Sequence, residues 1–305
     1  MTKIDKSFLN KLDLVCFHKG CFDGISCALI IYKFYIDNNL NLPKFNSLPA
    51  GEKDINILKP YYYKNKNVLI ADVAFNREIT LKLKNECSNF ILIDHHISNY
   101  NLLKDLDFCF FDLNKSASRL VFEIFYPNQK IPSFVLRIED NDIMKTNPSF
   151  NDFKHFNVAL QIEFQKHMNV ENNGFDTWMQ LFDEKRVDEL NKIGQYYYIY
   201  KKFIIENNNK FYKKVQILNF SQFNVLCFPD THIVGLSSDL LHSIEDKCDI
   251  AMLYKFLDNK KKYLITMRTN KDIDLVELFG NICAGHSKAV SGFISDINKF
   301  IKIIG

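Results

Sequence analysis

The chain has 305 residues, enough for one large domain or two ordinary ones, and its content of 47% hydrophobic and 25% charged residues excludes disordered and fibrous proteins. A net charge of +3 is too small to indicate nucleic-acid binding by itself. The sequence has no apolar signal core, no apolar run long enough to cross a bilayer, and no Cys-x-x-Cys pair among its eight cysteines. We therefore expect a cytoplasmic protein with free thiols and no membrane partner.

The first half of the chain alternates short apolar strands with amphipathic helices. Strands are predicted at 12–17, 68–72, 90–94 and 108–111, and helices at 23–35, 76–86 and 116–125. This alternation predicts an α/β fold with a parallel sheet flanked by helices. Residues 134–182 carry mostly helical patterns.

The pattern changes in the second half, after the polar run 206–210. Strands are predicted at 215–218, 224–228, 250–256 and 262–267, which indicates a smaller α/β domain with a mixed sheet. We therefore predict a first domain over residues 1–190, a linker helix over 191–210 and a C-terminal domain over 211–305.

Three of the predicted strands end in residues that can bind metal ions. The first strand leads into His18, the second into Asp72, and the third into the triplet Asp94-His95-His96. The carboxyl ends of strands line the ligand crevice in open α/β sheets, so these side chains are expected to converge at one edge. A single Asp at a strand end is usually a helix cap or a turn former. The recurrence at three strand ends favours a metal site.

The sequence offers further candidate ligands. Cys21 and Asp23 follow His18, and Asp140 and Asp142 lie downstream of the triplet. A mixture of carboxylates and imidazoles suits a divalent cation such as Mn²⁺, Mg²⁺ or Zn²⁺. Such a set can hold two ions about 3.5–4 Å apart, bridged by one carboxylate. Asp72 is the natural bridge, because its strand is expected to lie between the other two.

The ordered motifs resemble those of the DHH phosphoesterase family, which includes RecJ-type exonucleases, oligoribonucleases, 3′-phosphonucleotide phosphatases and cyclic-dinucleotide phosphodiesterases. The resemblance starts at His18-x-x-Cys21-x-Asp23-Gly24 and includes Asp72 and the Asp94 triplet. Residues 275–293, with Gly285-His286, are similar to the Gly-Gly-Gly-His stretch of the DHH-associated C-terminal domain. The resemblance thus extends over nearly the whole chain.

The resemblance implies a role for each matching position. His18 and Asp72 would hold the first ion, and the second would be held by Asp23, Asp72, His95 and Asp142. His96 would lie near the scissile phosphate and Asp94 would brace the site. Asp142 is preferred to Asp140 through similarity to the family's Glu-Asp-x-Asp-aromatic stretch. The resemblance also implies substrate contacts from Arg268, Gly285, His286 and Lys288. Arg119, near the start of the helix predicted at 116–125, could reach either a phosphate or a neighbouring carboxylate. The expected cofactor is a pair of Mn²⁺ ions, with Mg²⁺ or Zn²⁺ as alternatives.

Two departures from the family pattern affect these expectations. Many members have a carboxylate where this chain has Cys21, whose thiolate either serves as a ligand or merely packs. The stretch before His286 has one glycine, Gly285, where the family has several, so fewer backbone amides can approach an anion closely.

The expected activity is hydrolysis of short single-stranded oligonucleotides or small phosphonucleotides by a metal-bound hydroxide at a two-ion site. This makes the chain a hydrolase of the nuclease or oligoribonuclease type, acting as a monomer or a homodimer. One alternative is a phosphatase or pyrophosphatase for a small metabolite. Another is a nucleotide-binding relative without turnover. A structural zinc protein is disfavoured, since the site is rich in acids and the cysteines are scattered.

Overall fold

The computed structural model describes residues 6–49, 55–143, 145, 147–168, 174–208, 211–229, 237–258 and 260–304. The chain divides into two compact units, Met1–Tyr198 and Ile199–Gly305. Among the described residues, no helix is both long and apolar enough to span a membrane.

The first unit contains a sheet of five parallel strands. They are β1 (Leu14–His18), β2 (Lys44–Leu48), β3 (Asn67–Ala71), β4 (Asn89–Asp94) and β5 (Cys109–Phe111), in the order β2-β1-β3-β4-β5. The predicted parallel sheet is confirmed, but β2 was missed. It is a short edge strand whose Asn46 and Ser47 are buried, so it lacks the apolar run that marks the others.

Helices flank this sheet: α1 (Lys6–Leu9), α2 (Phe22–Asp37), α3 (Arg77–Glu86), α4 (Ile97–Leu103), α5 (Ala117–Phe125), α6 (Ser133–Asp142), α7 (Phe153–Glu163) and α8 (Asp176–Met179). Short 3₁₀ helices lie at Ile55–Tyr61, Gln165–His167 and Gln180–Phe182. Two helices start at polar caps: Asn76 accepts a hydrogen bond from the amide of Ile79, and Ser116 accepts one from that of Arg119.

Both faces of the sheet are covered, which is why its strands are almost continuously apolar. Val15 and Phe17 lie in a core with the inner faces of α2, α5 and α6. Leu14 and Cys16, which alternate with them along β1, lie in the core on the opposite face, together with side chains of α3 and α4. Layers on both sides fix the sheet between them.

The strand order has a direct consequence for the position of a ligand site. From β1 the chain first adds β2 on one side and then returns to place β3 on the other side. The reversal opens a crevice between the carboxyl ends of β1 and β3, which is where open α/β sheets bind ligands. His18 and Asp72 lie at this point, and β3 lies between β1 and β4, as predicted.

The long helix α9 (Glu184–Asn208) is continuous through residue 191, where the sequence placed the start of a linker helix. Val187 and Leu190 are buried in the core of the first unit. Ile204 and Ile205 pack on a core of the second unit. The proposed domain limits remain a prediction.

The second unit is built on a mixed sheet, as predicted. Its strands are β6 (Lys213–Ile217), β7 (Val225–Pro229), β8 (Ile250–Leu257), β9 (Lys262–Arg268), β10 (Cys283–His286), β11 (Ala289–Ile294) and β12 (Ile301–Ile303), in the order β10-β11-β9-β8-β7-β6-β12. Among the described strands of this unit, only β7 and β8 run parallel, and α10 (Ser237–His242) lies between them in the chain. Helix α11 (Leu275–Phe279) and 3₁₀ turns at Glu245–Lys247 and Ile297–Lys299 complete the described elements.

Candidate metal centre

The register of three neighbouring strands brings the predicted ligands into one row. Phe17 of β1 pairs with Ala71 of β3, and Ala71 pairs with Ile93 of β4. The next residues along these strands are His18, Asp72 and Asp94. The row follows from the parallel register alone, because parallel strands end at the same edge of the sheet.

Asp72 has a backbone conformation that is uncommon for a residue with a side chain. Its φ is +62°, in the left-handed region. The amide of Asp72 still donates a hydrogen bond to the carbonyl of Ile93, at 2.9 Å. The carboxylate is 1% exposed, with one oxygen 3.4 Å from His18 Nδ1 and the other 3.3 Å from His95 Nε2. Strained conformations of this kind cluster at functional sites.

His95 joins Asp72 to two further carboxylates from different helices. Its Nε2 atom lies 3.2 Å from Asp142 Oδ2 at the end of α6 and 3.9 Å from Asp23 Oδ2 in the first turn of α2. One imidazole nitrogen therefore faces three carboxylates, which is the kind of neighbourhood in which a cation can replace a proton.

The N-terminus of α5 holds Asp23 in place. The backbone amides of Ala117 and Ser118 donate hydrogen bonds to its two carboxylate oxygens at 2.8 and 3.1 Å. The Ser118 hydroxyl donates a further bond at 2.5 Å. A carboxylate at the first turn of a helix is stabilised by the exposed amides and the helix dipole. These hydrogen bonds favour the charged form of Asp23, against the opposing effect of its burial.

Asp94 braces the triplet from behind. One of its oxygens accepts hydrogen bonds from the backbone amide of His95 at 2.7 Å and from His96 Nδ1 at 2.7 Å. Its other oxygen accepts one from Asn99 Nδ2 at 2.6 Å. Because Asp94 accepts the hydrogen bond from Nδ1, it fixes the orientation of the His96 ring.

The side chains of His18, Cys21 and Asp72 form another close group. A ligand atom from each of these residues lies within 4.8 Å of the others. Gly24 makes this approach possible, because a Cβ there would lie 2.5 Å from the His18 carbonyl oxygen and 2.8 Å from its Cβ. The first turn of α2 can therefore pack directly on the end of β1.

The chemistry of these donors fits divalent cations. Several of their atoms are buried without a hydrogen-bonding partner of good geometry: His18 Nδ1, both oxygens of Asp72, His95 Nε2 and Asp142 Oδ2. Buried polar atoms are normally satisfied, so five unsatisfied atoms in one place need an explanation. Among the described residues, the groups that could hold an ion are Asp72-Asp94-His95-His96, His18-Cys21-Asp72 and Asp23-His95-Asp142.

Without a cation the cluster retains protons. Burial would lower the pKa of His95, but the carboxylates of Asp72, Asp23 and Asp142 raise it to about 10. Burial, with Asp23 and Asp72 nearby, raises the pKa of Asp142 to about 8. Burial alone would also raise the pKa of Asp72, but the adjacent imidazoles of His18 and His95 hold it below its ordinary value.

Similar causes act on the neighbouring groups. Burial and the charge of Asp72 raise the pKa of Asp23. Burial opposes protonation of His96, yet Asp94 and Asp72 raise its pKa to about 8. Burial, with the carboxylates around it, raises the pKa of the Cys21 thiol. The raised pKa values show that the crowded carboxylates favour added positive charge, which either protons or a bound cation can supply.

Asp140 and Arg119 lie away from these donors. Asp140 accepts a hydrogen bond from the amide of Phe150 at 3.0 Å and faces Lys145, whereas Asp142, two residues on, faces His95. The Arg119 guanidinium donates to Glu123 at 3.0 Å and to Glu139 at 2.8 Å. The sequence left two partners open for Arg119, a phosphate or a neighbouring carboxylate. In the structure its guanidinium bonds to neighbouring carboxylates.

Asn99 and Ser118 support the site although no motif included them, and Glu139, the first residue of the Glu-Asp-x-Asp stretch, supports it although no role was predicted for it. Asn99 and Ser118 bond directly to Asp94 and Asp23. The Glu139 carboxylate is fully buried and accepts a bond from the Ser116 amide at 3.0 Å. Their only sequence signal is proximity to the triplet, the α5 cap and Asp142.

The predicted substrate contacts of the second unit lie on β9 and β10 and in the turn between β10 and β11. Arg268 of β9 pairs with Ala289 of β11, which pairs in turn with His286 of β10. Gly285 has φ +147°, and a Cβ there would lie 2.3 Å from the Ala289 carbonyl oxygen. Lys288 donates to the carbonyls of Lys271 and Ile273, at 2.5 and 3.4 Å. The side chain of His286 lies outside the described residues.

Comparison with known proteins identifies few relatives by sequence. No protein-family model matches the chain. An uncharacterized protein of Acanthamoeba polyphaga mimivirus, R106, is 26% identical over 211 residues, which cover 65% of this chain and 47% of the viral protein. The match therefore spans about half the length of that relative.

Solved structures share the fold at low sequence identity. A pGpG-specific phosphodiesterase from Vibrio cholerae is 14% identical, with a TM-score of 0.51 and coverage of 94% of this chain and 95% of the other. An exopolyphosphatase-related protein from Bacteroides fragilis is 15% identical, also with a TM-score of 0.51, over 97% of this chain and 93% of the other. Likeness at this level establishes a shared architecture.

Proposed function

We propose that the protein is a metal-dependent phosphoesterase of the DHH type. The observation that carries the proposal is the convergence of buried, unsatisfied donor atoms from His18, Asp72, His95 and Asp142 at the carboxyl edge of the parallel sheet. The fold shared with a phosphodiesterase and an exopolyphosphatase-related protein is consistent with it. The ordered motifs from His18 to His286 provide the link to the family.

Two cations would be held by overlapping sets of ligands. Asp72 supports the role of bridge, because its two oxygens face different imidazoles, those of His18 and His95. Asp23 and Asp142 complete the group around His95. We infer two Mn²⁺ ions, with Mg²⁺ or Zn²⁺ as alternatives. Bound divalent cations supply Lewis acidity, which acidifies water and neutralises charge on phosphoryl oxygens.

The chain's own groups would orient the substrate and stabilise charge. His96 is 22% exposed at the mouth of the site, and Asp94 holds its ring by Nδ1 at 2.7 Å. In the metal-free protein, Asp94 and Asp72 raise the pKa of His96 to about 8, against the opposing effect of burial. A positioned imidazolium can donate to a phosphoryl oxygen and stabilise the charge that develops on it.

We infer short single-stranded oligonucleotides or small phosphonucleotides as substrates. The net charge of +3 offers no broad basic surface for a long duplex, so recognition must be local. In the second unit, the strand pairing of Arg268 with Ala289, and of Ala289 with His286, supports a small anion-binding surface. A guanidinium can hold a phosphate through two parallel hydrogen bonds.

A hydrolysis panel tests the proposal. Dinucleotides, longer single strands, cyclic dinucleotides, 3′-phosphonucleotides and pyrophosphate are incubated with the protein and Mn²⁺ or Mg²⁺. Release of mononucleotides from oligonucleotides, or of phosphate from 3′-phosphonucleotides, supports the proposed substrates, whereas hydrolysis of pyrophosphate alone favours the small-metabolite alternative. If the protein bound nucleotides but hydrolysed none of the substrates with any metal, it would be a non-catalytic relative and the proposal would be refuted.

Paired variants separate the site from general effects on folding. His95→Ala removes the imidazole that faces Asp72 and Asp142, and we expect turnover to be abolished. His242→Ala removes a histidine that is 62% exposed in the second unit, and we expect turnover to be unchanged. Equal activity of the two variants would contradict the proposed site.

A further inference from the structure

We infer that the two cation sites differ in chemical class: the site built on His18, Cys21 and Asp72 takes a thiophilic divalent ion, with the Cys21 thiolate as a ligand. The second site, built on Asp23, His95 and Asp142, has one nitrogen and otherwise only oxygen ligands. This inference rests on the proposed metal-dependent function and adds the ligand that decides which metal binds where.

Geometry supplies the first support. The Cys21 sulfur, His18 nitrogen and an Asp72 oxygen all lie within 4.8 Å of one another, close enough to surround one ion after small movements of the side chains. His18 Nδ1 and both Asp72 oxygens are buried without a hydrogen-bonding partner. The carboxylate of Asp72 is 1% exposed. The thiol therefore lies beside buried donors that still need a partner.

The position of Cys21 in the fold supplies the second support. Cys21 is the N-cap of α2, a helix of 16 residues, and its side chain makes no capping hydrogen bond. Because Gly24 has no side chain, the first turn of this helix lies directly against His18. This contact brings the Cys21 sulfur close to the His18 imidazole.

The difference in metal preference between the two sites follows from their ligand types. Thiolate ligands select thiophilic ions such as Zn²⁺ and Co²⁺, whereas sites rich in carboxylates accept Mn²⁺ and Mg²⁺. On binding, the Cys21 S–H bond breaks, the proton passes to the solvent, and the sulfur lone pair forms the bond to the metal. No oxidant or reductant is required, and the oxidation state of the metal is unchanged.

The experiment is titration of the full-length, metal-free protein with Co²⁺, followed by absorption spectroscopy. A thiolate bonded to Co²⁺ gives an intense charge-transfer band in the near ultraviolet, which nitrogen and oxygen ligands do not give. We expect the band to saturate at one Co²⁺ per chain. Mg²⁺ in large excess should leave the band in place, because Mg²⁺ competes poorly for a thiolate.

Three variants locate the ligand. Cys21→Ser should abolish the band, and since Cys21 is only partly buried the variant should fold. Cys27→Ala removes the next thiol along α2, which is buried in the core, and should retain the band. Asp142→Asn alters the oxygen-rich site and should also retain it, while weakening Mn²⁺ binding.

Each outcome is decisive. The inference would be overturned if the band persisted in Cys21→Ser. It would also be overturned if equilibrium dialysis showed that the unaltered protein binds Co²⁺ while no band appeared. Failure of Co²⁺ to bind at all would do the same. If the hydrolysis panel is positive but no band forms, the proposed function stands and only the thiolate ligand is lost. If the band forms but nothing is hydrolysed, the thiolate site stands and the proposed function fails.

Discussion

At the residue scale, the site depends on a close contact between Gly24 and His18. A Cβ at position 24 would lie 2.5 Å from the His18 carbonyl oxygen and 2.9 Å from its amide nitrogen. These are backbone atoms of a buried strand, so they cannot move aside as the end of a flexible side chain could. Gly20, in the same turn, has φ +73° but nothing within 4 Å of a built Cβ.

We therefore expect Gly24→Ala to push α2 away from β1 and to separate Asp23 and Cys21 from His18 and Asp72. The free energy of unfolding should fall by about 1–3 kcal/mol through overpacking. The rise in melting temperature on adding Mn²⁺ should be lost. Gly20→Ala should cost about 1–2 kcal/mol in backbone strain and keep that rise. Normal Mn²⁺ stabilisation of Gly24→Ala would contradict this account, and thermal denaturation measures both quantities.

Asp94 is a second critical residue, because its hydrogen bonds hold the histidines of the triplet. It orients His96 through Nδ1 and accepts hydrogen bonds from the amide of His95 and from Asn99. We expect Asp94→Asn to lower turnover by about 10–100-fold, because an amide no longer fixes the His96 ring as a carboxylate does. Steady-state kinetics with Mn²⁺ measures the loss. Asp107→Asn, at an exposed position, is the control, and equal rates for the two variants would argue against bracing.

At the element scale, buried Glu139 couples the two helices that carry or hold ligands. Its carboxylate lies on α6, one turn before Asp142, and accepts bonds from the Ser116 amide and from Arg119 at the start of α5. Lys145 also donates to it. The N-terminus of α5 in turn holds Asp23. The relative position of Asp23 and Asp142 therefore depends on this buried charge and its three partners.

We expect Glu139→Gln to lower the free energy of unfolding by about 1–3 kcal/mol, because its partly exposed cationic partners, Arg119 and Lys145, lose a buried charge-assisted acceptor. The affinity for Mn²⁺ should fall as well, since α5 and α6 lose their common anchor. Glu123→Gln removes the other, partly exposed partner of Arg119 and should cost under about 1 kcal/mol. Urea denaturation and Mn²⁺ titration test the pair. A larger loss of stability in Glu123→Gln would reverse the interpretation.

At the scale of the whole molecule, the metal-free protein holds protons on His95 and Asp142, at the site where we propose that cations bind. His95 faces Asp23, Asp72, Asp142 and the ring of His96. These carboxylates raise the pKa of His95 to about 10 against the effect of burial. Burial, with Asp23 and Asp72, raises that of Asp142 to about 8. Both groups are mainly protonated at neutral pH, and a cation has to displace these protons.

We therefore expect Mn²⁺ to bind more tightly as the pH rises from about 6 to about 8, by about tenfold per pH unit for each proton displaced. The sign follows because protons compete with the cation for the same atoms. Calorimetric titration in buffers of different ionisation enthalpy counts the protons released. Asp142→Asn removes one titrating group and should reduce that count. An affinity independent of pH would contradict the coupling.

Much of the fold and the location of the site could be predicted because the signals are local in the sequence. Apolar runs that end in His18, Asp72 and Asp94 mark parallel strands and place their polar ends at one edge. Strand β2 gave no such signal, because its buried Asn46 and Ser47 break the apolar pattern. Its place at the edge of the sheet depends on pairing with β1.

The sequence by itself determined the strand-end ligands, the sheet type and the order of the motifs, since periodicity and register act over a few residues. The tertiary structure decided which distant groups meet. It turns Asp142 towards His95 and Asp140 towards Phe150, and it pairs Arg119 with Glu139. The rotation of α6 and the docking of α5 depend on contacts between segments far apart in the chain, and no local pattern specifies such contacts.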